Sequence, residues 1–232
     1  MNEKAYIEIK NLNKVIKKNI ILSNINLKLY KGRIYGFYGI NGSGKSMLFR
    51  AISGLIRPSE GEIIINGKVL GKDISFPENF GMLIENPGFL SNYTGFKNLK
   101  YLAQINNIID DNDIKNALTK LGLDPNDNRK YKKYSLGMKQ RLGIAQAIME
   151  NPDMVILDEP TNALDDDGQE IVKNLILNLK KKGKIILLTN HDRVEMEKVA
   201  DEIFTIKQGK IVDNLILNER KIHEWRVLQN IY

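Results

Sequence analysis

The sequence predicts an α/β fold with a parallel sheet at its core, an antiparallel β region near the N-terminus and a helical insertion. A glycine-rich loop at residues 39–46 lies between a strand-like and a helix-like segment. Short, continuous apolar runs at residues 154–157 and 184–188 are typical of parallel strands that are buried on both faces. Apolar residues at helical spacing between residues 98 and 150 predict the helices of the insertion.

The first forty residues favour strands. Residues 6–9 and 25–29 alternate between apolar and polar side chains, as expected for strands that bury one face, and we expect them to be antiparallel. Residues 62–70 predict a β-hairpin, because Asn66-Gly67 supplies the residues of a tight turn.

Two helical segments are predicted within the insertion. Their apolar faces are formed by Leu99, Leu102 and Ile105 in the first and by Ile114, Leu118 and Leu121 in the second. Gly122 would end the second segment. Residues 213–232 have little pattern, and we predict a short packing helix there.

The composition suits one domain, since 232 residues are enough for a sizeable core. No cysteine is present, which excludes disulfides, cysteine metal sites and thiol catalysis. The net charge of +7 fits a solvated, lysine-rich surface, and we expect no nucleic-acid partner because no aromatic residues are interleaved with the short lysine clusters. No apolar run approaches the roughly 18 residues that span a bilayer, so we expect a cytoplasmic protein unless a partner recruits it.

Residues 39–46 match the template of a phosphate-binding loop, with two glycines, a lysine and a hydroxyl. The candidate binding residues are Gly39, Ile40, Asn41, Gly42, Ser43, Gly44, Lys45 and Ser46. Glycines let backbone N–H groups point at a phosphate, and the following helix adds its positive N-terminus. Lys45 would reach the β- and γ-phosphates and Ser46 a magnesium ion. The alternative is an accidental glycine-rich turn, which a chain of this composition would contain by chance roughly once in a hundred.

Two carboxylates and a histidine follow the two buried strands. Asp158 and Glu159 come at the carboxyl end of the first strand, where sheet folds place ligands. Asp158 could hold magnesium through Ser46 or water, and Glu159 could polarise the water that attacks the γ-phosphate. His191 follows the second strand and could donate a hydrogen bond to the γ-phosphate. Taken alone, these residues would be a solvated turn and a surface histidine; the phosphate loop favours the functional interpretation.

Residues 134–141, Tyr-Ser-Leu-Gly-Met-Lys-Gln-Arg, resemble the signature motif of the ATP-binding cassette (ABC) family. The usual motif reads Leu-Ser-Gly-Gly-Gln, so Ser135 and Gly137 are kept while three other positions depart from it. The resemblance covers nearly the whole chain, in the family's order, and implies a P-loop NTPase core. In this family Ser135 and Gly137 would cap a helix whose N-terminus binds the γ-phosphate of ATP held by the other subunit. Without the other motifs, Ser135 would be an ordinary N-cap.

The resemblance implies ATP and Mg²⁺ as cofactors, and a dimer of two copies or of this chain with a second ABC ATPase. Two ATP molecules would be sandwiched, each held by the loop of one subunit and closed by Ser135 and Gly137 of the other. Residues 163–165 resemble the segment that crosses the interface, with Asp165 as its contact residue. Residues 1–232 would then form a single ABC ATP-binding domain with a helical subdomain at about 86–150.

Two positions depart from the family in ways that affect the site. Glu85 stands where most members have a glutamine that contacts the magnesium and the membrane partner, and a carboxylate cannot donate a hydrogen bond as an amide does. Ile16 stands where an aromatic residue usually stacks on adenine. Glu85, the Asn-Pro-Gly-Phe-Leu that follows it and the signature resemble the bacitracin-resistance and lantibiotic-immunity exporter subunits of bacteria.

The resemblance also implies a separate transmembrane permease subunit that docks near residues 85–102, and therefore a peripheral location on the inner face of the cell membrane. Four apolar or aromatic residues would supply part of that contact: Phe89, Leu90, Tyr93 and Phe96. The alternative is that they only pack the insertion onto the core. The implied function is ATP hydrolysis that drives export of a peptide antibiotic or a similar compound. Two alternatives stay open, a soluble ABC-type ATPase switch that acts on nucleic acid or ribosomes, and a regulatory subunit with little turnover. The single cassette argues against the first and Glu159 against the second.

Overall fold

The structure, a computed structural model, describes residues 4–85 and 88–217. Within these ranges the strands, in chain order, are Ile7–Ile16 (β1), Asn19–Leu29 (β2), Ile34–Tyr38 (β3), Glu60–Ile65 (β4), Lys68–Val69 (β5), Phe80–Leu83 (β6), Met154–Leu157 (β7), Ile185–Asn190 (β8), Glu202–Lys207 (β9) and Lys210–Ile216 (β10). The helices are Lys45–Ile52 (α1), Gly95–Asn106 (α2), Asp111–Lys120 (α3), Leu136–Ile148 (α4), Asp166–Lys181 (α5) and Arg193–Glu197 (α6).

The N-terminal strands form the predicted antiparallel sheet, in the order β2-β1-β4-β5. Ile7 is the register partner of both Leu29 and Ile65, so the buried faces of three strands coincide. Asn66 and Gly67 join β4 to β5 with φ angles of 49° and 82°. Both angles lie in the left-handed region that a two-residue hairpin turn requires, which confirms the predicted turn.

The second sheet has the order β10-β9-β3-β8-β7-β6, and its strands are parallel except for the antiparallel edge strand β10. Every residue of β7 is buried, and successive residues enter different cores. Met154 and Ile156 pack with the antiparallel sheet and α1, whereas Val155 and Leu157 pack with the helical region. Burial on both faces explains why this strand is a continuous apolar run rather than an alternating one.

Each of the three α-helices between β6 and β7 begins with a side-chain cap. The Thr94 side chain caps α2, Asp110 caps α3 in a capping box, and Ser135 caps α4. α3 ends as predicted, because Gly122 adopts a left-handed φ of 64° just after it. Ile105 is 76% exposed, so the predicted apolar face of α2 extends only through its first two turns.

The helix predicted for residues 213–232 is wrong over the part that the structure describes. Residues 213–216 belong to β10, where Asp213 opposes Thr205 of β9. Gln208 and Gly209 have φ angles of 50° and 72°, which close a tight hairpin and return the chain along the sheet edge. Residues 218–232, which include Trp225, lie outside the described ranges. None of the helices in residues 4–85 and 88–217 combines the length and the apolar composition of a membrane span.

Close packing of β6 on α4 predicts a strong effect of a single methyl group. A Cβ added to Gly81 would lie 1.6 Å from the carbonyl oxygen of Ala147, a backbone atom that cannot move aside cheaply. We expect Gly81→Ala to lower the free energy of unfolding by about 1–3 kcal/mol or more. For a chain of this size that corresponds to a fall in Tm of roughly 2–12 °C, measurable by thermal unfolding.

Gly88→Ala is the matched control for this substitution. Gly88 has no heavy atom within 4 Å of an added Cβ, so its replacement should leave Tm within about 1 °C. Equal Tm values for the two variants would contradict the direct contact between β6 and α4.

Candidate functional site

The predicted phosphate loop connects the carboxyl end of β3 to the start of α1. Gly42 and Gly44 have φ angles of 77° and 112°, which side-chain-bearing residues rarely adopt. A Cβ on Gly39 would lie 2.3 Å from the backbone oxygen of Ile206. Because Gly44 offers no side-chain cap to α1, the first N–H groups of this helix are left to bind an anion.

Two polar side chains in the loop fit a phosphate ligand. Lys45 is buried, and its Nζ donates to the carbonyl oxygens of Gly39 at 2.6 Å and Ile40 at 3.2 Å. The Ser43 hydroxyl is buried without a hydrogen-bond partner in the described chain. Buried polar atoms are normally satisfied, so an acceptor oxygen of a bound phosphate suits this hydroxyl.

Asp158 lies beside Ser46, although 112 residues separate the two in sequence. The Ser46 hydroxyl donates to Asp158 Oδ2 at 2.7 Å, and the Thr189 hydroxyl donates to Oδ1 at 2.6 Å. A hydroxyl and one carboxylate are the hard oxygen ligands that Mg²⁺ accepts when phosphates supply others. Among the described residues no three acidic, histidine or cysteine side chains form a group that could hold a metal ion.

Glu159 is held by four neighbours at the end of β7. Its backbone N–H donates to Thr189 Oγ1 at 2.8 Å, and its carbonyl accepts from Gln140 Nε2 at 3.1 Å. Its carboxylate accepts from Asn162 Nδ2 at 2.5 Å and lies 3.0 Å from His191 Nδ1. Glu159 adopts a φ of 51°, a left-handed conformation that glutamate takes only when its surroundings fix it.

His191 also contacts the segment after Glu159. Its Nε2 lies 3.3 Å from Asn162 Oδ1, so the imidazole bridges a carboxylate and an amide. The structure thus brings the predicted residues Ser46, Asp158, Glu159 and His191 to one sheet edge. Thr189, Asn162 and Gln140 are not among the predicted site residues. Of these, Thr189 has a local signal, as the last buried residue before His191.

The signature residues Ser135 and Gly137 lie at the start of α4. The Ser135 hydroxyl accepts from the N–H of Met138 at 3.2 Å, an ordinary N-cap, and is exposed. Gly137 lies close to residues 163–165, the segment expected to cross the dimer interface. A Cβ added to Gly137 would lie 3.1 Å from the Ala163 carbonyl oxygen. Neither residue forms a hydrogen bond to the phosphate loop of its own chain within the described ranges.

Tyr134, a departure from the usual motif, anchors the start of α4 against α2. Its hydroxyl accepts from the Gly95 N–H at 3.3 Å. Burial raises the pKa of the Tyr134 phenol, so the phenol stays neutral to a higher pH than an exposed tyrosine does.

Glu85 and Ile16, the two positions that depart from the family near the site, lie outside the phosphate loop. Glu85 Oε1 is 2.5 Å from Arg50 Nη2 of α1, and no hydrogen bond joins it to Ser46 or Asp158 in the described chain. Ile16 is the last residue of β1, opposite Asn19, and is 39% exposed.

Comparison with known proteins agrees with this geometry. The ABC transporter family matches residues 22–162. An uncharacterized ABC transporter ATP-binding protein of Bacillus subtilis, YybJ, is 48% identical over 88% of this chain and 94% of its own. The bacitracin transport ATP-binding protein BcrA of Enterococcus faecalis is 36% identical over 92% of this chain and 70% of its own. The lantibiotic transport ATP-binding protein SrtF of Streptococcus pyogenes is 37% identical over 89% of each chain.

Among solved structures, the dimeric bacterial ABC transporter cassette MJ0796 superposes with a TM-score of 0.83. It is 25% identical and covers 91% of this chain and 99% of its own. These matches confirm the predicted P-loop NTPase fold and the predicted resemblance to bacitracin and lantibiotic transport ATPases. The chain belongs to the ABC transporter family and is one of its ATP-binding, ATP-hydrolysing subunits.

Proposed function

We propose that this chain powers a bacterial exporter whose cargo is a peptide antibiotic or a similar compound. We infer the class of cargo from the similarity of this chain to the bacitracin and lantibiotic transport proteins, which extends over about nine-tenths of its length. Because these relatives are transport proteins, they argue against the alternative function, a soluble ATPase switch that acts on nucleic acid or ribosomes.

The phosphate loop would bind the ATP phosphates by exchanging internal hydrogen bonds for ligand ones. Lys45 Nζ, which donates to Gly39 and Ile40 carbonyl oxygens, would donate instead to the β- and γ-phosphates. Ser43 would gain its missing partner, and the uncapped N–H groups of α1 would face the anion.

Hydrolysis would then depend on residues at the ends of β7 and β8. Ser46 and Asp158 would hold Mg²⁺, which when bound neutralises phosphate charge. Glu159 would orient and deprotonate the attacking water, after releasing its hydrogen bond from Asn162. His191 would contact the γ-phosphate, to which an imidazole N–H can donate. The metal contact predicted for Glu85 stays a prediction. In the structure the Glu85 carboxylate pairs with Arg50.

A second subunit would complete each site. Ser135 and Gly137 lie at an exposed helix start. Among the residues that the structure describes they form no hydrogen bond to their own loop, which is the arrangement expected if they close the site of a partner. The partner is a second copy or another ABC ATPase, and the dimeric state of the MJ0796 cassette supports this assembly. Asp165 would contribute at the interface, and Ile16 would make apolar contact with the adenine.

The helical region would dock the transmembrane permease. A groove of about 450 Å³ lies between β6 and α2 and is lined in part by Phe89, Leu90 and Tyr101. Leu90 is 53% exposed, whereas Phe89 packs edge-on against Tyr131. Of the four residues that the sequence suggested, Leu90 and Tyr93 suit a partner contact, and Phe89 and Phe96 suit packing onto the core.

This docking would place the protein on the inner face of the cell membrane. We further propose that residues 1–232 act as one ATP-binding domain with a helical subdomain at about 86–150, a division supported by the positions of α2, α3 and α4.

The proposed function is tested by purifying tagged protein from native membranes in mild detergent. We expect a polytopic membrane protein to co-purify, and the eluate to hydrolyse ATP. Loss of resistance to one peptide antibiotic on deletion of the gene would define the cargo. Recovery of ribosomes or nucleic acid without a membrane protein would contradict the proposal.

Lys45→Ala is expected to weaken ATP binding. Charge-assisted hydrogen bonds contribute about 1.5–3 kcal/mol each, so the Kd for ATP should rise by at least about tenfold. Titration calorimetry measures the change, with the exposed Lys28→Ala as control. An unchanged Kd would remove Lys45 from the phosphate site.

Glu159→Gln is expected to keep ATP binding and to lose hydrolysis by about 10²–10⁴-fold, since the amide cannot take a proton from water. Because bound ATP then persists, the variant should elute as a dimer in ATP and Mg²⁺, measured by light scattering after gel filtration. Glu62→Gln, on the antiparallel sheet, is the control. A monomer that binds ATP would contradict the sandwich arrangement.

A further inference from the structure

Thr189 joins the two carboxylate residues of the site through one oxygen atom. It lies on β8, whose parallel neighbour β7 carries Asp158 and Glu159 just beyond its carboxyl end. The Thr189 side chain is fully buried. Its Oγ1 donates to Asp158 Oδ1 at 2.6 Å and accepts from the Glu159 backbone N–H at 2.8 Å.

The directions of these two hydrogen bonds follow from chemistry. A backbone N–H can only donate, so the hydroxyl oxygen must accept from Glu159. The single hydroxyl proton is then directed to the Asp158 carboxylate. The hydroxyl therefore fixes the rotation of one carboxylate and the backbone of the next residue at the same time.

The contact with Asp158 decides which carboxylate oxygen faces the phosphate loop. Thr189 occupies Oδ1, and Oδ2 is left toward the Ser46 hydroxyl, 2.7 Å away. The oxygen that Ser46 contacts is the one available to the proposed cation site. Thr189 itself points its proton at Asp158 and is not positioned as a ligand.

The hydrogen bond from the Glu159 backbone N–H to the Thr189 hydroxyl stabilises an unfavourable backbone conformation of Glu159. Glu159 has a φ of 51°, and its N–H would lose its acceptor without the Thr189 hydroxyl. Backbone that relaxes toward a common conformation would carry the Glu159 carboxylate away from Asn162 and His191.

We propose that Thr189 is a positioning residue for ATP hydrolysis, which holds Asp158 and Glu159 in their working orientations through its hydroxyl. The inference rests on the roles proposed above for those two residues. Lys45 and Ser43 make no hydrogen bond to Thr189 in the described chain, so ATP binding without Mg²⁺ should be largely independent of it.

The test compares Thr189→Val, which removes only the hydroxyl at nearly constant volume, with Thr189→Ser, which restores it. Supporting groups of this kind typically change activity by about 10–100-fold, so we expect kcat of the Val variant to fall by that factor. The Kd of a fluorescent ATP analogue, measured without Mg²⁺, should stay within about threefold, and the Ser variant should recover most of kcat. Thr119→Val, on the exposed surface of α3, controls for the substitution type.

Thr189→Ala is assayed in parallel, so that the conclusion does not depend on the folding of one variant. Circular dichroism and analogue binding give the folded fraction to which kcat is normalised. A purely structural threonine would lower the folded fraction and leave normalised kcat unchanged, which would overturn the inference.

Glu159→Gln separates failure of this inference from failure of the proposed site. If Glu159→Gln is inactive while Thr189→Val and Thr189→Ala keep kcat within threefold of the unchanged protein, the positioning role is wrong. If Glu159→Gln itself hydrolyses ATP normally, the proposed roles on which the inference rests are wrong.

Discussion

Parallel pairing of β3, β8 and β7 is the constraint on which the site depends. The carboxyl ends of these strands meet at one edge of the sheet, so the phosphate loop, Asp158 and His191 become neighbours although they are far apart in sequence. The pairing requires strands that are buried on both faces, and β7 and β8 meet this requirement with continuous apolar runs. Only at the strand ends can polar side chains leave the core and meet a ligand.

Hydrogen bonds within the site replace those that a nucleotide would make. Lys45 donates to the carbonyls of its own loop, and Glu159 accepts from Asn162. Buried polar groups without partners are costly, so this internal pairing stabilises the loop and the strand ends. In the function proposed above, a bound nucleotide would exchange some of these hydrogen bonds for its own.

The chain presents two further surfaces away from its own phosphate loop. The start of α4 carries Ser135 and Gly137 and packs close to the carbonyl of Ala163, so the signature and the proposed interface segment form one face. Gln140 of the same helix donates to the carbonyl of Glu159. A partner that contacts this face would therefore be linked to the proposed catalytic glutamate through one helix. The groove that contains Leu90 is a second surface, lined mainly by residues of β6, α2 and the segment between them.

The sequence by itself determined the elements whose signals are local. The loop at residues 39–46, the Asn66-Gly67 hairpin and the apolar strands β7 and β8 could all be predicted, because turn chemistry and burial on both faces leave marks within a few residues. Only the tertiary structure decided the contacts between distant residues: the hydroxyl of Thr189 on Asp158, and the pairing of Glu85 with Arg50. It also decided that residues 213–216 form an edge strand, because β10 is mostly exposed and therefore carries no buried, alternating apolar pattern.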